Sequence, residues 1–311
     1  MAEDFDCDVV IIGGGCAGLT AAIYTSRARL HTILLDKLEP GGQLATTHEV
    51  ENYPGFPDVV MGPELMERFV DQAKRFGTEV RSAQANSVSA DEPVARVVHT
   101  DQGDIRARAV IVATGADPKT LGVPGEDRLR GLGVSYCATC DAPFFRNKEV
   151  AVVGGGNTAV DEGHYVTKFA TAVHLIHRRD QLRADKIIQE RALANPKMRF
   201  VWNTVVTEVL GDKAVSGVRL RNVKTGEESE LAVQGCFVLI GTRPNTEFLR
   251  GLCELDELGF VKVNARKETS VRGIFAAGDC EDAVWRQAVT AAGFGCSAAI
   301  AAKHYIDRLD G

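Results

Sequence analysis

The sequence predicts an α/β fold made of two Rossmann-like dinucleotide-binding domains, and three observations predict it. A short apolar run, a glycine turn and a helical stretch follow one another near residue 9, and the same order recurs near residue 150. Each is followed by a second apolar run of strand length. The chain is 311 residues long, more than one hydrophobic core usually serves, so two domains are expected. Composition agrees with a globular protein: 45% hydrophobic and 25% charged residues, without low-complexity bias.

Several classes are disfavoured. A net charge of -6 offers no basic face for the phosphates of nucleic acid. No apolar run reaches the roughly 18 residues of a membrane span, and the start lacks the pattern of a secretory signal, so a cytoplasmic protein is expected. The eight cysteines are scattered through a long chain, which reads against a secreted disulfide scaffold.

The first strand is Val9-Val10-Ile11-Ile12, followed by Gly13-Gly14-Gly15-Cys16-Ala17-Gly18 and a helix from Leu19 to Arg27. Gly13 permits the tight turn, Gly15 lets the backbone approach a pyrophosphate, and Gly18 lets helix and strand pack closely, with the helix N-terminus facing the anion. The next strand, Thr32-Ile33-Leu34-Leu35, ends at Asp36, where an acid would hold a ribose hydroxyl. A glycine turn present only for packing is the competing reading.

The second unit begins with Val150-Ala151-Val152-Val153 and the turn Gly154-Gly155-Gly156-Asn157-Thr158-Ala159. Its next strand, Ala172 to Ile176, ends in His177-Arg178-Arg179, with Arg183 one turn further on. An acid there would repel a ribose 2′-phosphate, whereas guanidinium groups pair with it through charge-assisted hydrogen bonds, so NADP(H) is the expected nucleotide. The bland alternative is a solvated, charged helix start. Two dinucleotide folds in one chain suggest a nicotinamide paired with a flavin.

Runs at Val110–Ile111–Val112 and Phe237–Gly241 look like the closing strands of the two units, and the tail from Ile274 through Gly278, Asp279 and an alanine-rich helix returns to the first. Cys137-Ala138-Thr139-Cys140 lies just before the second unit's first strand, and two thiols at this spacing suit a redox-active disulfide. Half of a zinc site is the alternative, but neither a second CxxC nor a paired histidine motif completes it. Asp141 follows the pair and reads equally as an acid–base group or as a helix cap. Cys7, Cys16, Cys236, Cys253, Cys280 and Cys296 read as small hydrophobes.

Taken together, Gly13-x-Gly15-x-x-Gly18, Gly41-Gly42-Gln43-Leu44, Glu51-Asn52-Tyr53-Pro54-Gly55, Ala113-Thr114-Gly115, Cys137-Ala138-Thr139-Cys140-Asp141, Gly154-x-Gly156-Asn157-Thr158-Ala159, His177-Arg178-Arg179-x-x-x-Arg183-Ala184, Gly278-Asp279 and Arg286-Gln287-Ala288 make the chain resemble the low-molecular-weight thioredoxin reductases over nearly its whole length. The resemblance implies an FAD domain from residues 1–116 and 247–311, with an NADPH domain inserted at 117–246 that carries the cysteines. It implies FAD contacts from Gly42, Gln43, Leu44, Asn52, Gly278, Asp279, Arg286, Gln287 and Ala288. Cys16, Ala17, Ala85, Thr114 and Gly115 are placed with them, as Gly154, Gly156, Asn157, Thr158, His177, Arg178, Arg179 and Arg183 are with NADPH. It puts the ribose contact at Glu39, in competition with Asp36. The implied activity runs from NADPH through FAD to the Cys137–Cys140 disulfide and on to oxidised thioredoxin, with Cys140 facing the flavin, Cys137 attacking the partner and Asp141 moving protons. Rotation of the inserted domain, hinged near Asp117 and Thr246, is part of that picture, as is a homodimer.

The sequence departs from the family pattern at Ala142, where glycine is usual and where the fit of a partner could change, at Cys16, and at Gly163, an interior helical glycine with no evident role. Three rivals stand beside the reductase. A flavin reductase serving an iron–sulfur or flavin protein would not need the cysteine pair. The reductase component of a peroxide-scavenging system usually carries an extra N-terminal domain, and here the first strand starts almost at once. The third is a nucleotide-responsive binding module without turnover.

Overall fold

The computed structural model describes residues 5–47, 49–90 and 93–311. The chain divides into two compact units, Met1–Asp117 with Arg243–Gly311, and Pro118–Thr242. The chain passes between them at Ala116–Pro118 and Thr242–Pro244, which pair as two short strands.

In the first unit, Cys7–Ile12 is the axis of the sheet. Thr32–Asp36 and then Glu79–Ser82 add parallel on one side, and Gly103–Val112 adds parallel on the other. The far end of Gly103–Val112 is paired by Ile274–Ala276, also parallel, while its first half belongs to an antiparallel meander with Arg96–Thr100 and Ala85–Ser89. The tail of the chain thus supplies a strand to the sheet built around its first strand.

Continuous apolar runs make these strands because both faces are covered. Val9, Ile11, Leu34 and Ile111 point into one core, shared with the helices Cys16–Arg27 and Ala288–Asp310. Val10, Ile12, Ile33, Leu35 and Val112 point into a second, under the meander and the segment around Leu249, Cys253 and Val261. The two helices approach closely: a Cβ on Gly295 would lie 2.1 Å from the Ala17 carbonyl oxygen.

The second unit repeats the plan. Its sheet runs Val134–Ser135, Gly235–Val238, Glu149–Val153, Ala172–Ile176, Met198–Val201, all parallel. Val150, Val152, Leu175 and Phe237 face the helix side, and Ala151, Val153, Ile176 and Val238 face an antiparallel sheet of Thr204–Leu210, Gly217–Asn222 and Glu228–Leu231. The closing strand ends at Val238, short of the Gly241 end read from the apolar run; Ile240 is exposed.

Among the described residues, no helix is long and apolar enough to cross a membrane.

Candidate active site

The parallel strands of the first unit release their loops at one edge, so topology gathers Gly13, Asp36, Thr114 and Gly278 at the carboxyl ends of neighbouring strands, the usual ligand crevice of such sheets. Each glycine of the first turn answers a different demand. Gly13 has φ 107° and a Cβ there would meet the Ala113 carbonyl at 2.4 Å; on Gly18 it would fall 1.8 Å from the Gly13 carbonyl oxygen. Gly15 is the opposite case, with no protein atom within 4 Å of an added Cβ. It is the N-cap of Cys16–Arg27 and supplies no side-chain cap, so the first helical amides of Cys16, Ala17 and Gly18 lack intrahelical acceptors just beyond this open position. A dinucleotide pyrophosphate fits this cradle. The Cys16 and Ala17 side chains are buried in the core, Cys16 with its sulfur 3.7 Å from that of Met66, so these residues can offer only backbone.

Around this turn the remaining candidates draw in. A Cβ on Gly42 would lie 3.2 Å from the Gly15 Cα, and one on Gly278 would lie 2.8 Å from the Ala17 Cβ. The Gln43 side-chain amide donates to the Ala116 carbonyl, and Asn52 Nδ2 donates to Gln287 Oε1 at 3.5 Å. Leu44 is half-buried in the same 3-10 turn. Thr114 Oγ1 donates to the Asn245 carbonyl at 2.7 Å, and the Asn245 amide returns a bond to the Gly115 carbonyl. Arg286, in the left-handed region at φ 47°, and Gln287 lead into the Ala288–Asp310 helix, where Gln287 forms a capping box with Thr290. Ala85 opens the outer strand of the meander, two residues after Ala83, whose amide donates to the Asp36 carbonyl at 2.9 Å.

Asp36 and Glu39 separate clearly. Asp36 Oδ2 accepts from the Gly14 amide at 2.7 Å and Oδ1 from the Leu38 amide at 3.1 Å, so its carboxylate holds the turn together. Glu39 is exposed on the following loop.

Asp279 sits at the end of the Ile274–Ala276 strand with its acid pushed up to about 6, chiefly by burial, then by Asp282, with Arg286 opposing and Glu281 adding a little. Asp282 is fully engaged by the amides of Val284, Trp285 and Arg286. Behind them Lys267 Nζ pairs with Glu281 Oε1 at 2.6 Å and lies 3.4 Å from the centre of the Phe294 ring. This pair gave no sequence signal, since its partners are 14 residues apart and on different segments.

In the second unit Gly154 and Gly156 divide the work as Gly13 and Gly15 do. Gly154 has φ 151° and no room for a Cβ beside the Leu239 carbonyl, while Gly156 faces open space at the start of Asn157–Val166. The arginines follow. Arg178, Arg179 and Arg183 line an open cavity of about 340 Å³, together with Asn203 and Lys224. They sit on a loop ahead of the helix Lys186–Leu193, not on a helix start, and the Arg183 amide is pinned to the Gly155 carbonyl at 2.7 Å. Lys224 reaches the same cavity from the neighbouring sheet and pairs with Asp180 at 2.7 Å.

Two predicted contacts also serve the fold. His177 is 6% exposed, packed under Gly155 so that a Cβ there would lie 2.3 Å from its ring. Burial pulls its pKa down, with Arg183, Arg179 and Arg178 adding to the fall against a backbone hydrogen bond at Gln181, so the imidazole adds no positive charge to the cavity. Asn157 exchanges two hydrogen bonds with Asp185, at 2.9 and 2.7 Å, which ties the glycine turn to the start of the next helix. Thr158 is exposed on the first turn beside it.

Cys137 and Cys140 are joined as a disulfide, their Cα atoms 5.3 Å apart, across the one-turn helix Ala138–Asp141. The Cys140 amide donates to Cys137 Sγ at 3.2 Å, and Thr139 Oγ1 lies 3.3 Å from the same sulfur. Asp141 ends this turn and makes no capping bond, so the helix-cap reading does not apply. Burial raises its pKa, opposed by a hydrogen bond from Ser135. Ala142 is fully buried with ordinary helical backbone angles, so its methyl group fills the core and is not presented to a partner. The cysteines read as hydrophobes behave so: Cys7, Cys16, Cys236, Cys253 and Cys280 are buried and Cys296 half-buried. Burial pushes the thiols of Cys7, Cys16, Cys236 and Cys280 up to about 12.

Known proteins resemble this chain in sequence and fold. Residues 7–295 match the pyridine nucleotide-disulphide oxidoreductase family. A thioredoxin reductase of Mycolicibacterium smegmatis is 52% identical over 304 residues, covering 97% of each chain. One of Bacillus subtilis is 47% identical over 310 residues, 99% of this chain and 98% of its own. The crystal structure of thioredoxin reductase from Streptococcus pyogenes superposes with a TM-score of 0.94 at 41% identity, covering 97% of this chain and 98% of that one.

Proposed function

Because the chain belongs to the pyridine nucleotide-disulphide oxidoreductase family, we propose that it is a thioredoxin-disulfide reductase that takes electrons from NADPH and passes them through FAD and the Cys137–Cys140 disulfide to oxidised thioredoxin. The observation that carries the reading is the disulfide itself, held in one unit with Asp141, the second glycine turn and the arginine-lined cavity. Its relatives of similar length are named thioredoxin reductases.

The residues divide as follows. The Gly13–Gly18 turn holds the FAD pyrophosphate and Glu39 its ribose, while Asn52, Asp279 and the Arg286–Ala288 segment serve the flavin side. The Gly154–Gly156 turn receives the NADPH pyrophosphate, and Arg178, Arg179 and Arg183 its 2′-phosphate, charge-assisted contacts that a ribose hydroxyl would not repay. FAD, when bound, supplies a carrier that accepts a hydride from the nicotinamide and delivers two electrons to sulfur. Reduction breaks the S–S bond and forms two S–H groups, with Cys140 as the sulfur that faces the flavin and Cys137 as the one that attacks the disulfide of the partner. Asp141, with its proton affinity raised by burial, holds or moves the proton beside them.

The protein acts in the cytoplasm as a homodimer, two-fold dimers being the commonest soluble homo-oligomers. Tyr24 on the first helix and Val289 and Ile300 on the last are exposed; Val289, Cys296 and Ile300 recur at spacings that place them on one face, with Tyr24 beside Cys296.

The test is an anaerobic titration. NADPH should bleach the bound flavin, and oxidised thioredoxin should then restore its colour. Cys137→Ser should still bleach but no longer reduce thioredoxin. Thioredoxin reduction that survives this substitution would remove the disulfide from the pathway.

A further inference from the structure

We propose that Glu162 is a positioning residue for the reactive disulfide, anchoring the backbone between the cysteines and holding a negative charge beside the sulfur on which a thiolate must form. The inference rests on the reductase reading above. Glu162 stands on the second turn of Asn157–Val166, the helix that follows the nucleotide turn, and its Oε2 accepts from the Ala138 amide at 3.0 Å. Ala138 is the first residue after Cys137 and is fully buried. On the other side of Cys137 stands Ser135, 4% exposed, whose Oγ accepts from the Cys137 amide at 3.1 Å and lies 3.2 Å from the Cys137 carbonyl oxygen. The backbone of Cys137 is therefore gripped on both sides, by strand Val134–Ser135 and by the helix.

The two grips differ in charge. A serine hydroxyl is neutral, whereas a carboxylate that holds the amide next after Cys137 opposes a second negative charge there. Reduction of the disulfide takes two electrons, which the flavin supplies, and two protons, breaking S–S and forming two S–H groups. One of these must lose its proton before it can attack another disulfide. The Cys140 amide, 3.2 Å from Cys137 Sγ, favours that thiolate, and Glu162 disfavours it. Asp141 is an acid from the same segment as the pair, and a hydrogen bond from Ser135 holds it. Glu162 thus keeps the dithiol protonated and strongly reducing until a partner arrives, and the same contact links the cysteine turn to the helix that begins at the second nucleotide cradle.

Glu162→Gln separates charge from geometry, because the amide oxygen can still accept from Ala138. The experiment uses the full-length, FAD-loaded protein equilibrated in dithiothreitol redox buffers, with the cysteines trapped by iodoacetamide and counted by mass spectrometry. The pH dependence of alkylation is followed on the reduced form. The glutamine variant should show a thiol pKa lower by about one unit and, in redox buffers held at a pH above that thiol pKa, a dithiol fraction favoured by about tenfold over wild type, the gap closing as pH falls below it. Glu162→Ala, which loses the anchor as well, should add loosened geometry, read as faster alkylation of both sulfurs. An alkylation profile and redox equilibrium identical to wild type in the glutamine variant, or a shift in the opposite direction, would overturn the proposal. NADPH-dependent thioredoxin reduction by the wild type, run alongside, tests the reductase reading separately, since the buffer equilibrium needs neither NADPH nor thioredoxin.

Discussion

The Gly14 amide donates to Asp36 Oδ2 at 2.7 Å, a bond that ties the first glycine turn to the end of the adjacent strand. It gives the acid that stands in the expected ribose position a structural task, while Glu39, three residues on, is exposed. Asp36→Ala should therefore destabilise the flavin-free protein by about 1–3 kcal/mol, the cost of an unmade bond to a charged acceptor. Glu39→Gln should leave that stability unchanged and weaken flavin binding by roughly tenfold, the loss of one charged hydrogen bond. Urea unfolding and flavin reconstitution followed by fluorescence measure the two quantities; unchanged flavin affinity in Glu39→Gln would return the ribose role to Asp36.

Arg178, Arg179 and Arg183 share a cavity with Lys224. Removing either Arg178 or Arg179 should raise KM for NADPH by about 10- to 100-fold, the range of a lost charge-assisted contact, and should leave KM for NADH nearly unaltered. Lys224→Met should act in the same direction but less, because Lys224 is already paired with Asp180. Steady-state kinetics with both nucleotides decide this, and equal losses with NADH would show that the cluster does not read the 2′-phosphate.

Burial raises the Asp279 acid from 3.8 to about 6, aided by Asp282 and Glu281 against Arg286. Between those pH values the native protein keeps a proton that the unfolded chain has released, so the contribution of this group to stability falls as pH rises through the window and stays low above it. In the flavin-free protein, Asp279→Asn should therefore be more stable than wild type above pH 6 by on the order of 2–3 kcal/mol, with the difference vanishing below about pH 4. Urea midpoints across this range check the sign; a gap that is independent of pH would mean that Asp279 is not the titrating group.

Gly163 is buried in the helix Asn157–Val166, and a Cβ added to it would meet Leu175, Met198 and Val152 side-chain carbons at 3.5 Å, ordinary contact distance. Nothing in the local geometry demands glycine. Gly163→Ala should raise stability by about 0.5–1 kcal/mol through helix propensity and a less flexible unfolded chain. A lower denaturation midpoint in the alanine variant would reveal a constraint on this helix that its packing does not show.

The sequence by itself determined what depends on neighbours along the chain. Strand, glycine turn and helix are local, so both nucleotide cradles were legible, as were the spacing of Cys137 and Cys140 and the exchange of an acid for arginines after Ile176. Even the separate duties of Gly13, Gly15 and Gly18 follow from the turn that their order imposes. Only the tertiary structure decided where side chains at those turns point. His177 and Arg178 are adjacent, yet one is packed under Gly155 and the other lines the cavity. Asp36 turns inward to an amide 22 residues away, Ala142 fills a core, and Ser135, Glu162 and Lys224 reach the chemistry from other elements. The physical reason is range: backbone conformation is fixed largely by residues within a few positions, whereas a side chain takes its partner, its burial and its charge from whatever the fold brings beside it.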